Sequence, residues 1–118
     1  MTNAITTKLS TNSGTVTTDG TEQTLGSTTA ISGGATLVLH IDTTNMVDGD
    51  VIEIRHYLGK NGGSDIQTDF ASFANAQGDK LKRCPVLDVH ANGRAKFTIK
   101  RVAGTDRSYD WWVTELGA

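Results

Sequence analysis

The sequence predicts an all-β protein, a single β-sandwich or jelly-roll-like barrel of about seven or eight antiparallel strands with an extended N-terminal arm. Three observations support this fold class. The segments Ala35–Asp42 and Val51–Leu58 alternate apolar and polar residues with the period of a strand. Turn signals such as Asp19-Gly20 and Asn92-Gly93 recur along the chain. Helical periodicity is nearly absent, and only residues 70–77 carry a weak helical signal.

Length and charge restrict the possible partners. The 118 residues suit one domain, and the net charge is −2. The only tight basic cluster is Lys80, Lys82 and Arg83, so we expect no nucleic-acid partner, which would require a basic stripe. No stretch reaches the roughly 20 apolar residues of a membrane span, and residues 1–5 lack the pattern of a secretory signal. We therefore expect no membrane partner and synthesis in a cytoplasm.

Residues 1–14 are predicted to form an extended N-terminal arm, and residues 15–118 the β-sandwich domain. Twelve of the first 36 residues are threonine, which favours extended backbone, whereas large apolar residues are few. Such a segment buries too little apolar area to become ordered by itself. It is either a flexible tail or an arm that orders on a neighbouring subunit, where Ile5 and Leu9 would make the contacts.

The alternating segments also predict which side chains face the core. The first places Leu37, Leu39 and Ile41 on one face, and the second places Ile52, Ile54 and Leu58 on one face. Further strands are expected at 15–18, 21–25, 87–89, 94–102 and 108–116. Residues 65–76 form a weaker strand that carries Ile66, Phe70 and Phe73.

The residues on either side of Asn92-Gly93 predict a β-hairpin. A two-residue turn would place the charged Asp88 opposite the core residue Phe97, whereas a three-residue turn that adds Ala91 pairs Leu87 with Phe97. Because a slip of one residue turns every side chain to the other face, this parity favours the three-residue turn. The bulged hairpin then requires Gly93 in the left-handed conformation.

The last predicted strand carries apolar residues on both faces. Adjacent strand residues point in opposite directions, so only one of Trp111 and Trp112 lies in the core. Trp111 shares its face with Tyr109 and Val113, and we expect it inside. Trp112 is then exposed, as an anchor for a sugar ring or a protein partner, or is covered by the N-terminal segment. We place Tyr57, on the polar face of its strand, in the same protein interface as Trp112.

No residue pattern indicates catalysis, a metal or a cofactor. His40, His56 and His90 lack ligand spacing, and we expect each to be a surface or half-buried hydrogen-bonding side chain. Asp48-Gly49-Asp50 is interpreted as a turn whose carboxylates accept local backbone donors, rather than as a calcium loop. Cys84 is the only cysteine, and we interpret it as a half-buried apolar residue. The sequence therefore predicts a non-enzyme without catalytic, metal-binding or cofactor-binding residues.

Two segments resemble small tailed-phage virion proteins of the capsid decoration, or cement, kind. In the first, a strand from Leu37 ends at Asp42, and a short turn leads to Gly49-Asp50 and the strand Val51–Arg55. The second, Ile99–Trp111, is a strand followed by Ala-Gly-Thr-Asp-Arg-Ser and an aromatic strand. The resemblance extends over residues 21–116 and is loosest in the middle. The sequence departs from the pattern at Cys84-Pro85 and at the second tryptophan.

The resemblance implies a non-enzymatic structural protein of the virion, assembled in the cytoplasm of a bacterial host. Such a protein would bind neighbouring subunits of the major capsid protein and stabilise them, as a homo-oligomer for which a trimer is favoured. The alternative is a phage tail or fibre module that binds host-surface carbohydrate. This alternative predicts a concave patch with an exposed tryptophan and several polar side chains around it.

Overall fold

The structure, a computed structural model, describes residues 12–60 and 63–116. No helix occurs in this part of the chain, and hence none that is long and apolar enough to cross a membrane. Its nine strands are β1 (Ser13–Thr17), β2 (Gln23–Ser27), β3 (Ala35–Asp42), β4 (Val51–Gly59), β5 (Asp65–Ala74), β6 (Leu81–Arg83), β7 (Leu87–Val89), β8 (Arg94–Ala103) and β9 (Ser108–Leu116).

The strands form two antiparallel sheets that face each other across one core. The first sheet has the order β1-β9-β3-β6, and β7 also pairs with β3. The second sheet has the order β2-β8-β4-β5. The all-β, sandwich-like prediction is confirmed, whereas a closed barrel is not formed. The described strands number nine because the three-residue β6, which sequence patterning did not predict, pairs with β3 beside β7.

The alternating segments bury the predicted side chains. In β3, Leu37, Leu39 and Ile41 are all fully buried in the core, as expected. The opposite face of β3 is less polar than predicted, because Val38 is also fully buried. In the last strand, Trp111 is 5% exposed, which confirms that it is the inward tryptophan.

The hairpin predicted around Asn92-Gly93 is wrong. β7 pairs with β3 in the first sheet, whereas β8 pairs with β2 and β4 in the second. Residues 90–93 therefore carry the chain from one sheet to the other. The left-handed residue is Asn92, with φ 63°, and not Gly93. A Cβ at Gly93 would lie 2.7 Å from Cε1 of His90, a contact that the exposed His90 side chain can relieve by rotating.

The start of the domain lies slightly earlier than the predicted boundary. β1 begins at Ser13. Ser13 and Gly14, which were predicted to belong to the arm, pair with Trp112 and Trp111 of β9. The carbonyl of Asn12 accepts a hydrogen bond from the amide of Val113. The remainder of the predicted arm, 1–11, lies outside the described residues.

The turn at Asp48-Gly49-Asp50 is fastened to the β8–β9 connection by one carboxylate. Asp50 is 2% exposed and accepts hydrogen bonds from the amides of Val47 at 3.1 Å and Thr105 at 3.0 Å. The guanidinium of Arg107 donates from Nε at 2.5 Å. The prediction of a turn with a local backbone donor is confirmed for Asp50 by the Val47 amide, whereas Asp48 accepts from the distant amide of Ala76 at 3.2 Å.

Close packing surrounds the same carboxylate. Gly104, at φ +85°, lies so near that an added Cβ would be 2.2 Å from Oδ1 of Asp50. Burial raises the pKa of Asp50, but the Thr105 and Val47 amides and the Arg107 guanidinium outweigh it and hold the pKa below its ordinary 3.8. The folded state therefore keeps this group charged, and its contribution to stability is lost only as the pH falls below 3.8.

We expect Asp50→Asn to lower the free energy of unfolding by about 2–3 kcal/mol, because it removes a buried charge-assisted acceptor. Asp106→Asn is the matched control. Asp106 also accepts from an arginine Nε at 2.5 Å, but its side chain is 42% exposed against 3% for Asp50. The control is expected to lose at most about 1 kcal/mol in denaturant titrations. Equal losses would contradict a structural role specific to Asp50.

His56 differs from the expected hydrogen-bonding histidine. It is 1% exposed, and neither ring nitrogen has a hydrogen-bond partner within the described residues. Alternate residues of a strand face the same side, so His56 lies with Ile52 and Ile54 on the inward face of β4. Its ring meets Phe97 edge-on, with 4.8 Å between ring centroids. Burial lowers the pKa of His56, and the charge of Asp69 on β5 opposes this effect.

A pH dependence of stability follows from His56. Because its folded pKa lies below 6.5, the unfolded chain takes up a proton first, and the contribution to stability is full above pH 6.5 and lost below it. We expect His56→Met to reduce the loss of unfolding free energy between about pH 7 and about pH 5, measured by urea denaturation. The remaining slope belongs to His40, whose pKa is also lowered by burial. An unchanged slope would contradict the buried, neutral ring.

Candidate functional site

The outer face of the first sheet carries an aromatic stack. Trp112 of β9 pairs with His40 of β3, and the two rings are parallel within 9° at 5.4 Å between centroids. One face of the Trp112 ring is therefore covered by imidazole. On the other side its strand partner is Ser13 of β1, a short and exposed residue.

Two carboxylates lie beside this stack. Asp110 precedes Trp112 by two residues on the same face of β9, and its strand partner is Asp42 of β3. With Thr44, Asn45 and Ser108 they line a shallow, open cleft of about 210 Å³. Two residues along a strand span roughly 7 Å, so the cleft begins one ring's breadth from Trp112.

Local hydrogen bonds hold the cleft in shape. Asp42 Oδ1 accepts from the Thr44 hydroxyl at 2.5 Å and from the Thr44 amide at 2.9 Å, and these bonds lower the pKa of Asp42. The Thr15 hydroxyl donates to Asp110 Oδ1 at 2.5 Å. The amide group of Asn45 donates to the Ser108 carbonyl at 2.7 Å. Within the described residues, each aspartate keeps one oxygen, Oδ2, that accepts no hydrogen bond.

The electrostatics of this face disfavour anions. Asp42 and Asp110 stand on paired strands, where like charges directly opposite one another are destabilising. The cleft is therefore suited to hydroxyl or amine donors and repels phosphate.

Tyr57 lies on the outer face of the second sheet, opposite Trp112. Its hydroxyl donates to Glu22 at 2.5 Å, and Lys96 stands over its ring at 4.5 Å. Glu22 also accepts from the Thr98 hydroxyl at 2.6 Å and lies 3.7 Å from Arg55. The Glu22 carboxylate raises the pKa of Tyr57, while the Thr98 and Tyr57 hydroxyls lower the pKa of Glu22. Tyr57 is thus bonded within its own domain.

The predicted interface residues are consequently not brought together. Trp112 and Tyr57 lie on the two opposite outer faces of the sandwich-like fold, so one flat partner surface cannot meet both. Ile5 and Leu9 lie outside the described residues. Trp112 is half-buried rather than exposed, because His40 covers one face of its ring.

A second exposed surface, which the sequence pattern did not indicate, lies along the edge strand β5. β5 is an edge strand of ten residues that pairs only with β4 in the described chain, and its Ile66 and Phe70 are 68% and 47% exposed. Lys82 of β6 stands 5.9 Å from the ring of Phe73, so the β5 and β6 edges lie on the same side of the fold. We name this the open side and define it by Ile66, Phe70, Leu81 and Val86, which are four of the seven large apolar side chains exposed in the described residues.

The remaining candidates for chemistry are separated. His40 lies on the outer face, His56 in the core and His90 in an exposed turn, and the described residues contain no group of three or more metal-ligating side chains. Cys84 is fully buried rather than half-buried, and burial raises the pKa of its thiol to about 12. It is therefore a core side chain and not a nucleophile at neutral pH.

Comparison with known proteins gives no assignment. No family model matches the sequence, and no curated protein matches it.

Proposed function

We propose that this protein is a non-enzymatic structural protein of a phage virion, most simply a capsid decoration protein that binds and stabilises neighbouring subunits of the major capsid protein. In this proposal it acts as a homo-oligomer, with a trimer favoured, on a jelly-roll-like sandwich extended by an N-terminal arm. The sequence resemblance supports the proposal. The two segments that carry it are joined in space, since Asp50 of the first is bonded to Arg107 of the second.

The open side is the single observation that carries the binding role. An edge strand exposes unpaired backbone donors and acceptors, and natural proteins usually protect such edges with lysine, proline or short length. β5 has ten residues and contains neither lysine nor proline. Its protection is limited to Asp65, Asp69 and a register shift opposite His56 and Tyr57. Its exposed Phe70 also packs near the guanidinium of Arg55, at 6.0 Å from the ring centroid, which holds the ring in place. Addition of a partner strand with apolar contacts is the recognition mode that such an edge fits.

The test is co-sedimentation of the purified protein with empty phage heads that lack it, after its mass in solution has been measured. We expect Phe70→Glu to weaken attachment about tenfold or more, because it places a charge on the apolar contact while leaving a partner for Arg55. Val102→Glu is the matched control, since Val102 is 49% exposed, close to the 47% of Phe70, but belongs to β8. Wild-type protein that stays in the supernatant would refute the capsid role, and equal loss in both variants would refute the role of β5.

The arm has a separate test. Deletion of residues 1–11 is expected to leave the melting temperature of the domain unchanged, because β1 begins at Ser13. The same deletion is expected to reduce attachment to heads, because Ile5 and Leu9 would be lost. Thermal unfolding followed by circular dichroism gives the first readout, and co-sedimentation gives the second. A truncated chain that binds as tightly as the full chain would show that the segment is not an arm.

One observation favours the alternative, a phage tail or fibre module that binds host-surface carbohydrate. That function requires a concave patch with an accessible tryptophan and polar side chains around it. The cleft two residues along β9 from Trp112 supports it, since polar residues line that cleft, although Trp112 itself lies outside the lining.

A further inference from the structure

We infer that β5 binds its partner through residues 69–74, and that the partner supplies an antiparallel extended segment in which an acidic residue is followed, four positions later, by a basic one. This inference rests on the proposed binding role of β5 and specifies the chemistry of the segment that binds there. The direction of the backbone groups of β5 and the charges at the two ends of this stretch carry it.

The backbone of β5 alternates between groups bonded to β4 and groups directed at the open edge. The Asn75 amide donates to the Asp50 carbonyl at 2.8 Å, which marks a hydrogen-bonded pair, and the register continues from there without a shift through Asp69. Hydrogen-bonded and non-hydrogen-bonded pairs alternate along an antiparallel ladder. Every second residue from Ala74 back to Phe70 therefore directs its N–H and C=O away from β4.

Two features bound this open stretch. The Ala74 carbonyl accepts from the side-chain amide of Gln77 at 2.7 Å, which agrees with its outward direction and closes one end of the stretch. At the other end, the register shift leaves Thr68 without a residue opposite it in β4. The groups left for a partner are the N–H and C=O of Phe70 and Ser72 and the N–H of Ala74.

The outer face of the stretch has room for large apolar side chains of a partner. A paired segment places alternate side chains on this face, opposite Phe70, Ser72 and Ala74. Ser72 and Ala74 are small and exposed, and the Phe70 side chain beside them is 47% exposed. Bulky apolar residues of the partner would therefore pack against the Phe70 ring, as cross-strand neighbours do.

The inward face of the stretch carries opposite charges at its two ends. Asp69 stands at the Thr68 end, and β5 contains neither lysine nor arginine. At the other end, the ammonium of Lys82 lies 5.9 Å from the centroid of the Phe73 ring. Opposite charges on facing positions stabilise a strand pair, and like charges destabilise it. An antiparallel partner satisfies both ends when its acidic residue stands opposite Phe73 and its basic residue stands opposite Asp69.

The first experiment compares two labelled peptides with blocked ends, Val-Glu-Ile-Thr-Val-Lys and Val-Lys-Ile-Thr-Val-Glu, by fluorescence anisotropy with the full-length protein. The peptides have the same composition and net charge, so only the order of the charges differs. We expect the first to bind about threefold or more tightly than the second, because its glutamate faces Lys82 and its lysine faces Asp69. Equal affinities, tighter binding of the second peptide, or binding of neither would overturn the inference.

The second experiment removes one outward N–H. Ser72→Pro deletes a donor at the centre of the stretch without removing a bond to β4, and proline is tolerated where an edge strand's N–H faces solvent. We expect the melting temperature to stay within about 3 °C, while attachment to heads and to the first peptide falls about tenfold or more. Ser72→Ala is the matched control, since it keeps the N–H, and its binding is expected to stay within about twofold. Unchanged binding by a folded Ser72→Pro protein would overturn the inference.

Amide hydrogen exchange tests the backbone direction without any partner, and it also serves if Ser72→Pro does not fold. In the free wild-type protein we expect the amides of Ala71 and Phe73 to exchange about a hundredfold or more slowly than those of Phe70 and Ser72. Uniform protection along β5, or the reverse alternation, would overturn the inference.

The capsid role and this inference fail separately. Wild-type protein that does not sediment with heads but prefers the first peptide would refute the capsid role and support the strand-addition site. Sedimentation that Ser72→Pro leaves unchanged, together with equal peptide affinities, would overturn the strand-addition site and leave the capsid role standing.

Discussion

The buried carboxylate of Asp50 ties together the two loops that lie where the β4–β8 and β3–β9 ladders end. Its turn links β3 of the first sheet to β4 of the second, and its partners Thr105 and Arg107 lie in the connection from β8 of the second sheet to β9 of the first. Two crossings between the sheets are therefore fixed to one another at one end of the fold. Because the aspartate is buried, these bonds act with little competition from water, and the charge of Arg107 offsets the desolvation of the carboxylate.

This contact explains the structural role of the two segments that resemble phage virion proteins. Gly49-Asp50 and the Gly104–Arg107 segment stand more than fifty positions apart in the sequence, yet they form one hydrogen-bonded unit. Gly104 must be glycine because its backbone lies against Asp50 at a positive φ. The motifs are thus determinants of the fold. A shared pair of motifs of this kind indicates a shared way of closing two sheets.

Sequence patterning predicts which side chains face the core much better than it predicts which strands pair. In β3, β8 and β9 the inward residues Leu37, Phe97 and Trp111 are those that alternation indicates. The predicted pairing of β7 with β8 was wrong. Both sheets face the same core, so Leu87 and Phe97 are buried whether or not their strands are neighbours, and burial did not identify the partner strands. Among the described strands, only β4 and β5 are consecutive in sequence and paired with each other. Local turn signals therefore mark the ends of strands here without identifying their partners.

The candidate site shows a related limit, because its surface combines residues from strands that are distant in the sequence. Alternation correctly predicts that Trp112 points outward. It does not show that His40 and Asp42 lie on the same face, because they belong to a strand some seventy residues away. Phe70 and Phe73, three positions apart, must point to opposite faces of β5, so one exposed aromatic residue was foreseeable, although the edge position of the strand was not. Because chain order does not give sheet order in this fold, surfaces built across strands become visible only when the pairing is known.

The placement of β1 brings the start of the described chain next to Trp112. The chain enters the domain at Asn12, whose carbonyl is bonded to Val113, and Ser13 then pairs with Trp112. The described chain therefore begins at the β1 edge of the first sheet, whereas Tyr57 and its partner Glu22 lie on the second sheet. In the proposed virion role, a partner that contacts Trp112 would meet the first sheet beside β1, whereas a partner that pairs with β5 would meet the second sheet.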